Sequence, residues 1–255
     1  LAAEPKSTVP SIGELSMELA ALQSIHRLKL EPLQLRKLQA IVGRIADKNP
    51  KKSNGKASQE YRKAVESLIE AYLTVSDDDI IDRLQEDLDT LAENEKPELD
   101  DDFEMTAAAR EAAPEFLKLL SARQMTSYLA GTYGDETPDP YEKLVEAIGQ
   151  VRTLSSKEFR DQREEICDEI GRLAAGLDDE KANEVGEKAL ALLLRVRSMS
   201  DADFKSGRDQ IRESARKIVG DVGPTEVLRR LMERELAQFL SNPRLAAAID
   251  QRLKR

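Results

Sequence analysis

One cysteine, one histidine and no tryptophan occur among the 255 residues of the chain. These scarcities remove whole classes of chemistry. A structural zinc site takes four Cys or His ligands, and Cys167 and His26 are the two such residues present. A Ser–His–acid or Cys–His nucleophile would have to use His26. A lone cysteine gives no CxxC pair, no haem-attachment motif and no internal disulfide, so it says nothing about redox compartment. No run of about 18 apolar residues exists, which argues against a membrane-spanning helix. Aromatics make up 4% of the chain, too few for an ordinary sandwich or a large α/β enzyme.

Charge and aliphatic residues fill the space. Charged residues are 35% and hydrophobic ones 40%, enough apolar surface to bury a core. The net charge of −10 is unevenly spread. Residues 195–255 hold 14 basic and 9 acidic side chains, whereas 76–115 hold 16 acids against Arg83, Lys96 and Arg110. Such a chain repels nucleic acid overall. Its basic C-terminal part suits an acidic partner or the chain's own acidic middle.

Apolar residues recur three and four apart nearly throughout, and no segment shows a strand-like alternation. The pattern predicts an all-α protein: a multi-helix bundle or short helical stack of about ten to twelve helices. Residues 1–10 read as a flexible tail. Helices are expected at 11–27 and, with Pro32 in its first turn, at 31–47. A polar loop at 49–56 precedes a helix carrying Tyr61, Val65, Leu68 and Tyr72. Ser76-Asp77-Asp78-Asp79 opens the next, whose stripe reads Ile80, Leu84, Leu88, Leu91. An acidic linker lies near 93–104, and further helices near 105–119 and 121–131. Four Gly or Pro residues among 131–140 mark a boundary between an N-terminal half, 11–131, and a C-terminal half, 138–255.

The second half contains an internal repeat at an offset of 45. Val151-Arg152-Thr153-Leu154-Ser155-Ser156-Lys157-Glu158-Phe159 matches Val196-Arg197-Ser198-Met199-Ser200-Asp201-Ala202-Asp203-Phe204. The match continues through Arg163/Arg208, Ile166/Ile211, Ile170/Ala215 and Leu173/Ile218. A unit of about two helices stacked on its copy explains it.

Several helices start alike, with a Leu or Met before a capping residue: Leu120-Ser121, Leu154-Ser155, Leu177-Asp178 and Met199-Ser200. The Ser or Asp oxygen accepts an orphan N–H of the first turn, and a Gln or Glu three residues on reaches back. Each cap is worth roughly 1 kcal/mol. Leu30-Glu31-Pro32-Leu33-Gln34 and Leu120-Ser121-Ala122-Arg123-Gln124 resemble degenerate copies of the Leu-Thr-x-x-Gln motif of the periplasmic LTXXQ (Spy/CpxP-like) helical family. The chain departs from that motif in placing Glu31 and Ser121 where the family has Thr. The resemblance covers about the first half. It implies an exported, cofactor-free helical protein that acts as an ATP-independent chaperone or envelope-stress adaptor, and it carries no client-binding residue over. The chain is also similar to large exported helical proteins of unknown function.

The candidate sites are modest. His26 sits on the Leu15–Leu19–Leu22 face, where it reads as a boundary residue or a lone proton shuttle. Cys167 has Arg212 as its repeat counterpart, which predicts half-burial, and its acidic neighbours oppose a thiolate. Asp77, Asp78, Asp79 and Asp100, Asp101, Asp102 are weak candidates for a divalent cation. They lack the alternating acids, central Gly and closing Glu of a calcium loop, and read first as a helix cap and a solvated linker. Gly220-Asp221-Val222-Gly223-Pro224-Thr225 lacks the Gly-Lys-Ser/Thr ending of a phosphate loop. It reads as a helix stop followed by a helix start. The helix from Thr225 to Leu240 is amphipathic and basic, and Arg229, Arg230 and Arg234 are its candidates for partner binding.

These features favour a non-catalytic exported adaptor, scaffold or chaperone-like module with a protein partner, no cofactor, no nucleic acid and no membrane span. The alternatives are a helical domain with a carboxylate/arginine ligand or divalent-metal site, and a subunit of a larger assembly. The start Leu1-Ala2-Ala3-Glu4 suits the residue side of a signal-peptidase cut. An arbitrary boundary, with a cytoplasmic location, is the alternative.

Overall fold

The structure, a computed structural model, describes residues 10–46, 54–74, 77–134 and 139–255. Most of the expected tail at 1–10, part of the 49–56 loop, Ser76 and residues 135–138 of the expected boundary lie outside them. Thirteen helices and one two-stranded sheet occur among the described residues. The fold is all-α, as the periodicity requires. The helix number exceeds the sequence reading because Gly207 splits one expected helix in two and because the C-terminus forms a helix of its own.

Two compact units divide the chain. Unit 1 takes residues up to Tyr128 together with Leu236–Arg255, and unit 2 takes Leu129–Glu235. This differs from a single cut at 131–140. The divisions fall inside helices, and the C-terminal helix belongs to the first unit. Leu245, Ala248 and Ile249 pack the C-terminal helix on the first two helices of the chain, and a buried polar network joins the same region to the first of them. Glu18 is buried, and its carboxylate accepts from Arg244 Nη2 at 2.7 Å and Gln251 Nε2 at 2.6 Å. Asn242 Nδ2 donates to the Met17 carbonyl at 2.8 Å. A buried carboxylate is tolerated only when its lone pairs are met in this way.

Unit 1 contains α1 (Ile12–Arg27), α2 (Pro32–Ile45), β1 (Gly55–Lys56), α3 (Gln59–Thr74), α4 (Asp78–Glu95), β2 (Glu98–Leu99) and α5 (Ala107–Leu117). It also holds most of α6 (Ala122–Tyr133), the end of α12 (Pro224–Leu240) and all of α13 (Leu245–Lys254). Ser11 and Glu14 form a capping box at α1. α1 packs on α3 and α13, α2 on α5 and α13, and α3 on α4. Leu22, Leu38, Leu68, Phe116, Leu245 and Ile249 are fully buried in its core. The stripe expected on α4 holds at Leu84, Leu88 and Leu91 but starts at Ile81 in place of Ile80. Ile81 and Leu88 are buried while Ile80 is 42% exposed. The acidic linker is also shorter than expected, because α4 runs to Glu95. Beyond it β2 pairs antiparallel with β1, a two-residue sheet that no alternation announces. Gly55, at φ +149°, permits this pairing. A Cβ there would lie 2.7 Å from Ile12 Cγ2 and 2.8 Å from the Glu98 carbonyl oxygen.

Unit 2 contains the end of α6, α7 (Pro140–Gln150), α8 (Ser156–Ala175), α9 (Asp179–Ser198), α10 (Asp201–Ser206), α11 (Arg208–Val219) and the start of α12. The repeat is real in three dimensions: α7–α8 answers to α9–α10–α11. Buried positions match at the offset of 45: Leu144/Ala189, Ala147/Leu192, Ile148/Leu193, Val151/Val196 and Ala174/Val219. α8 and α9 approach closely at Gly171, where a Cβ would lie 2.3 Å from the Ala182 carbonyl oxygen. Gly220 ends α11 at φ +78° and Pro224 starts α12, as the sequence indicates.

The two repeat copies hold each other. Arg152 Nη1 donates to the carbonyls of Val196 and Met199 at 3.0 and 2.9 Å. Arg197 Nη1 donates to those of Val151 and Leu154 at 2.6 and 2.8 Å. These acceptors are repeat equivalents. Arg152 lies over the Phe204 ring at 4.7 Å, and Arg197 over the Phe159 ring at 5.1 Å. Each arginine thus caps the other copy's helix end and stacks on the other copy's phenylalanine, adding cation–π attraction to charge-assisted hydrogen bonds.

Candidate functional site

The two Leu-x-x-x-Gln segments singled out in the sequence meet in unit 1. Gln34 and Gln124 each stand third in their helix. There the side-chain oxygen serves the local cap: Gln34 Oε1 accepts the Glu31 N–H at 2.9 Å, and Gln124 Oε1 the Ser121 N–H at 2.9 Å. The amide nitrogens cross over. Gln34 Nε2 donates to the Leu119 carbonyl at 2.6 Å, and Gln124 Nε2 to those of Leu28 and Lys29 at 3.0 and 3.1 Å. The two side chains also bond each other at 3.0–3.1 Å. The turn between α1 and α2 is thereby fixed beside the turn between α5 and α6.

This crossing assembles charge. Residues 27–37 and 117–124 carry six cations, Arg27, Lys29, Arg36, Lys37, Lys118 and Arg123, against one carboxylate, Glu31. All six cations are exposed. Arg27 lies over the Tyr128 ring at 5.2 Å. The other five form no salt bridge among the described residues. Leu33, 63% exposed, stands between them on the first turn of α2. Beside it runs a shallow groove of about 650 Å³ between α2 and α5. Ala40, Ile41 and Leu119 supply its apolar lining, with Lys37 and the Arg44–Glu115 pair at 2.7 Å along it. Neither Leu33 nor the cations stood out in the sequence. The usable signal was the density of Lys and Arg around both motif copies in an acidic chain.

The other candidates have their own surroundings. His26 is half-buried, 3.1 Å from an Asp78 carboxylate oxygen and edge-on to the Tyr72 ring at 5.3 Å. Asp77 caps α4 by accepting from the Asp79 N–H. Asp100 accepts the Asn54 N–H at 3.1 Å, and Asp101 the Ser16 hydroxyl at 2.6 Å. Asp79 and Asp102 join no such cluster, and no group of three metal-ligating side chains converges among the described residues.

The three arginines of α12 all pair within unit 2, Arg229 on the exposed side with acids of its own helix and Arg230 and Arg234 toward the end of α8. Arg230 donates to the Ala174 carbonyl and, at 2.8 Å, to Glu226. Arg229 bonds Glu226 at 2.7 Å and also Glu233. Arg234 donates to the Gly176 carbonyl at 3.4 Å. Two of the three cap the C-terminal carbonyls of α8, and all three have partners within unit 2. The Arg229 guanidinium, with Arg230 adding, holds the Glu226 carboxyl down at about 2.

Cys167 is fully buried rather than half-buried. Its repeat counterpart Arg212 faces solvent on α11, but Gly186 lets α9 close over Cys167, with a built Cβ 3.2 Å from the Cys167 carbonyl oxygen. Burial, reinforced by Asp168, pushes the thiol up to about 11, which makes it inert at neutral pH. No helix among the described residues is long and apolar enough to cross a membrane. No family model, curated protein or solved structure matches the chain.

Proposed function

We propose that the protein is a non-catalytic interaction protein, an adaptor, scaffold or chaperone-like module. The observation that carries this reading is the surface at the crossed turns of unit 1. It combines an exposed leucine, five exposed cations with no salt bridge among the described residues and an apolar-lined groove, on a protein of net charge −10. Exposed apolar area rimmed by charge is the usual mark of a protein-binding surface. Perturbed pKa values cluster at catalytic sites. The strongly shifted groups here, Cys167 and the Glu226–Arg229 pair, are occupied by burial and internal pairing. The resemblance of the two crossing motifs to the LTXXQ family extends the proposal to an exported protein. The purified chain, added stoichiometrically and without nucleotide, is expected to suppress aggregation of unfolded clients or to retain a defined protein partner. Failure on several clients, together with no partner retained, contradicts the reading.

A further inference from the structure

We propose that the crossed turns of unit 1 dock an acidic amphipathic polypeptide segment. Its carboxylates would lie on Lys29, Arg36, Lys37, Lys118 and Arg123, and its apolar side chains on Leu33 and the groove between α2 and α5. The proposal rests on the interaction reading above and names the partner's chemistry. Charge complementarity carries it. In a chain whose residues 76–115 alone hold 16 acids, residues 27–37 and 117–124 bring six cations together against the one carboxylate of Glu31, and five of the six form no salt bridge among the described residues.

The helix ends add to the same field. α2 and α6 both begin at this surface, so their positive dipole ends point toward it. The geometry favours a polypeptide over other anions. The cations are spread along two turns rather than converging on one point, as a free phosphate would need. The apolar element is a groove between two helices that accepts a few side chains, not the broad apolar face a lipid surface requires. A segment with acids flanking leucine-like anchors matches the groove-binding mode of amphipathic helices.

The test uses the full chain and a fluorescein-labelled peptide with Leu at helical spacing and Glu at the remaining positions, read by anisotropy. Binding is expected, and it weakens at least about tenfold between about 50 and about 300 mM salt, because exposed charges are screened. K37E/R123E is expected to weaken it at least about tenfold and Leu33→Ser several-fold. K205E/R212E, the same charge change on exposed residues of unit 2, leaves it unchanged. Equal loss in both charge-reversed pairs overturns the site. So does binding to vesicles of phosphatidylserine and phosphatidylcholine in place of the peptide, or unaltered binding by Leu33→Ser and K37E/R123E with native unfolding midpoints. Client protection is measured on the same variants. If K37E/R123E loses the peptide but still protects clients, the interaction reading stands and this surface is not its site. If no variant and no wild-type protein protects clients or retains a partner, the reading itself fails.

Discussion

Both units are closed by two helix-start turns that cross and cap each other's helix ends, yet they draw the crossing donors from different places. In unit 1 the third helical residue is an amide, Gln34 or Gln124. Its oxygen serves the local cap and its nitrogen reaches the opposite turn. In unit 2 the same position holds Glu158 or Asp203. Glu158 accepts the Ser155 N–H at 2.8 Å and Asp203 accepts the Ser200 hydroxyl at 2.6 Å. A carboxylate accepts but does not donate, so crossing passes to Arg152 and Arg197, two residues before Leu154 and Met199. The corresponding positions of unit 1, two residues before Leu30 and Leu120, hold Leu28 and Lys118. The lesson is that a reciprocal cap needs a donor within the turn, and the choice between amide and carboxylate decides which position supplies it.

The largest effect should come from removing the charged donors. Arg152→Met and Arg197→Met each remove two charge-assisted hydrogen bonds to helix-end carbonyls and a stacking contact. Each is expected to cost about 2 kcal/mol or more in urea unfolding. The two sites share one interface, so the double variant should cost less than the sum by about 1 kcal/mol. Strict additivity would show that the two arginines act independently.

The buried thiol gives a reporter confined to unit 2. Cys167 should react with iodoacetamide near pH 8 only when unit 2 opens. Arg197→Met is expected to speed labelling about tenfold for each 1.4 kcal/mol it costs in opening. Gln34→Ala, in unit 1, should leave the rate unchanged. Equal acceleration by both would mean that the two units open together.

A smaller effect follows from pH. The Ser155 hydroxyl, then the Ser155 N–H, hold the Glu158 carboxyl below its ordinary value. A group depressed in the folded state stabilises above its unfolded pKa, and the contribution fades as pH falls through the folded value. Unfolding midpoints should therefore fall through the acidic carboxylate range, and Glu158→Gln should flatten that part of the profile. Glu226, held at about 2 chiefly by the Arg229 hydrogen bond, keeps its pairing across the same window.

The parts of this arrangement were legible to different degrees. Caps and helix starts are local, so Ser155 with Glu158 and Ser121 with Gln124 could be read from spacing alone. The repeat was legible because Val-Arg, Ser and Phe recur at one offset. The identity of each donor's acceptor was not. Arg152 reaches carbonyls 44 and 47 residues away, and no local pattern encodes which turn comes alongside. The helix α13 and its place against α1 and α2 were not legible, because its partners, Glu18 among them, lie more than 200 residues away. Ile80 and Ile81 stand adjacent, so either could have headed the α4 stripe. Cys167 misled because the repeat equates two positions whose neighbours differ. The cationic turns are not legible as one surface because their members come from segments about 90 residues apart, brought together by the packing of α2 on α5 and by the crossing glutamines.

The most direct test exchanges acid and amide at the third helical position of one turn in each unit. Gln124→Glu keeps the acceptor for the Ser121 N–H but loses the donor to the Leu28 and Lys29 carbonyls. Glu158→Gln keeps the acceptor, and its unit has its donors elsewhere. At neutral pH the account predicts that urea unfolding of Gln124→Glu loses about 1–3 kcal/mol while Glu158→Gln loses distinctly less, the small charge-dependent part that also fades at acid pH. Equal losses in the two variants, or a larger loss in Glu158→Gln, would contradict it.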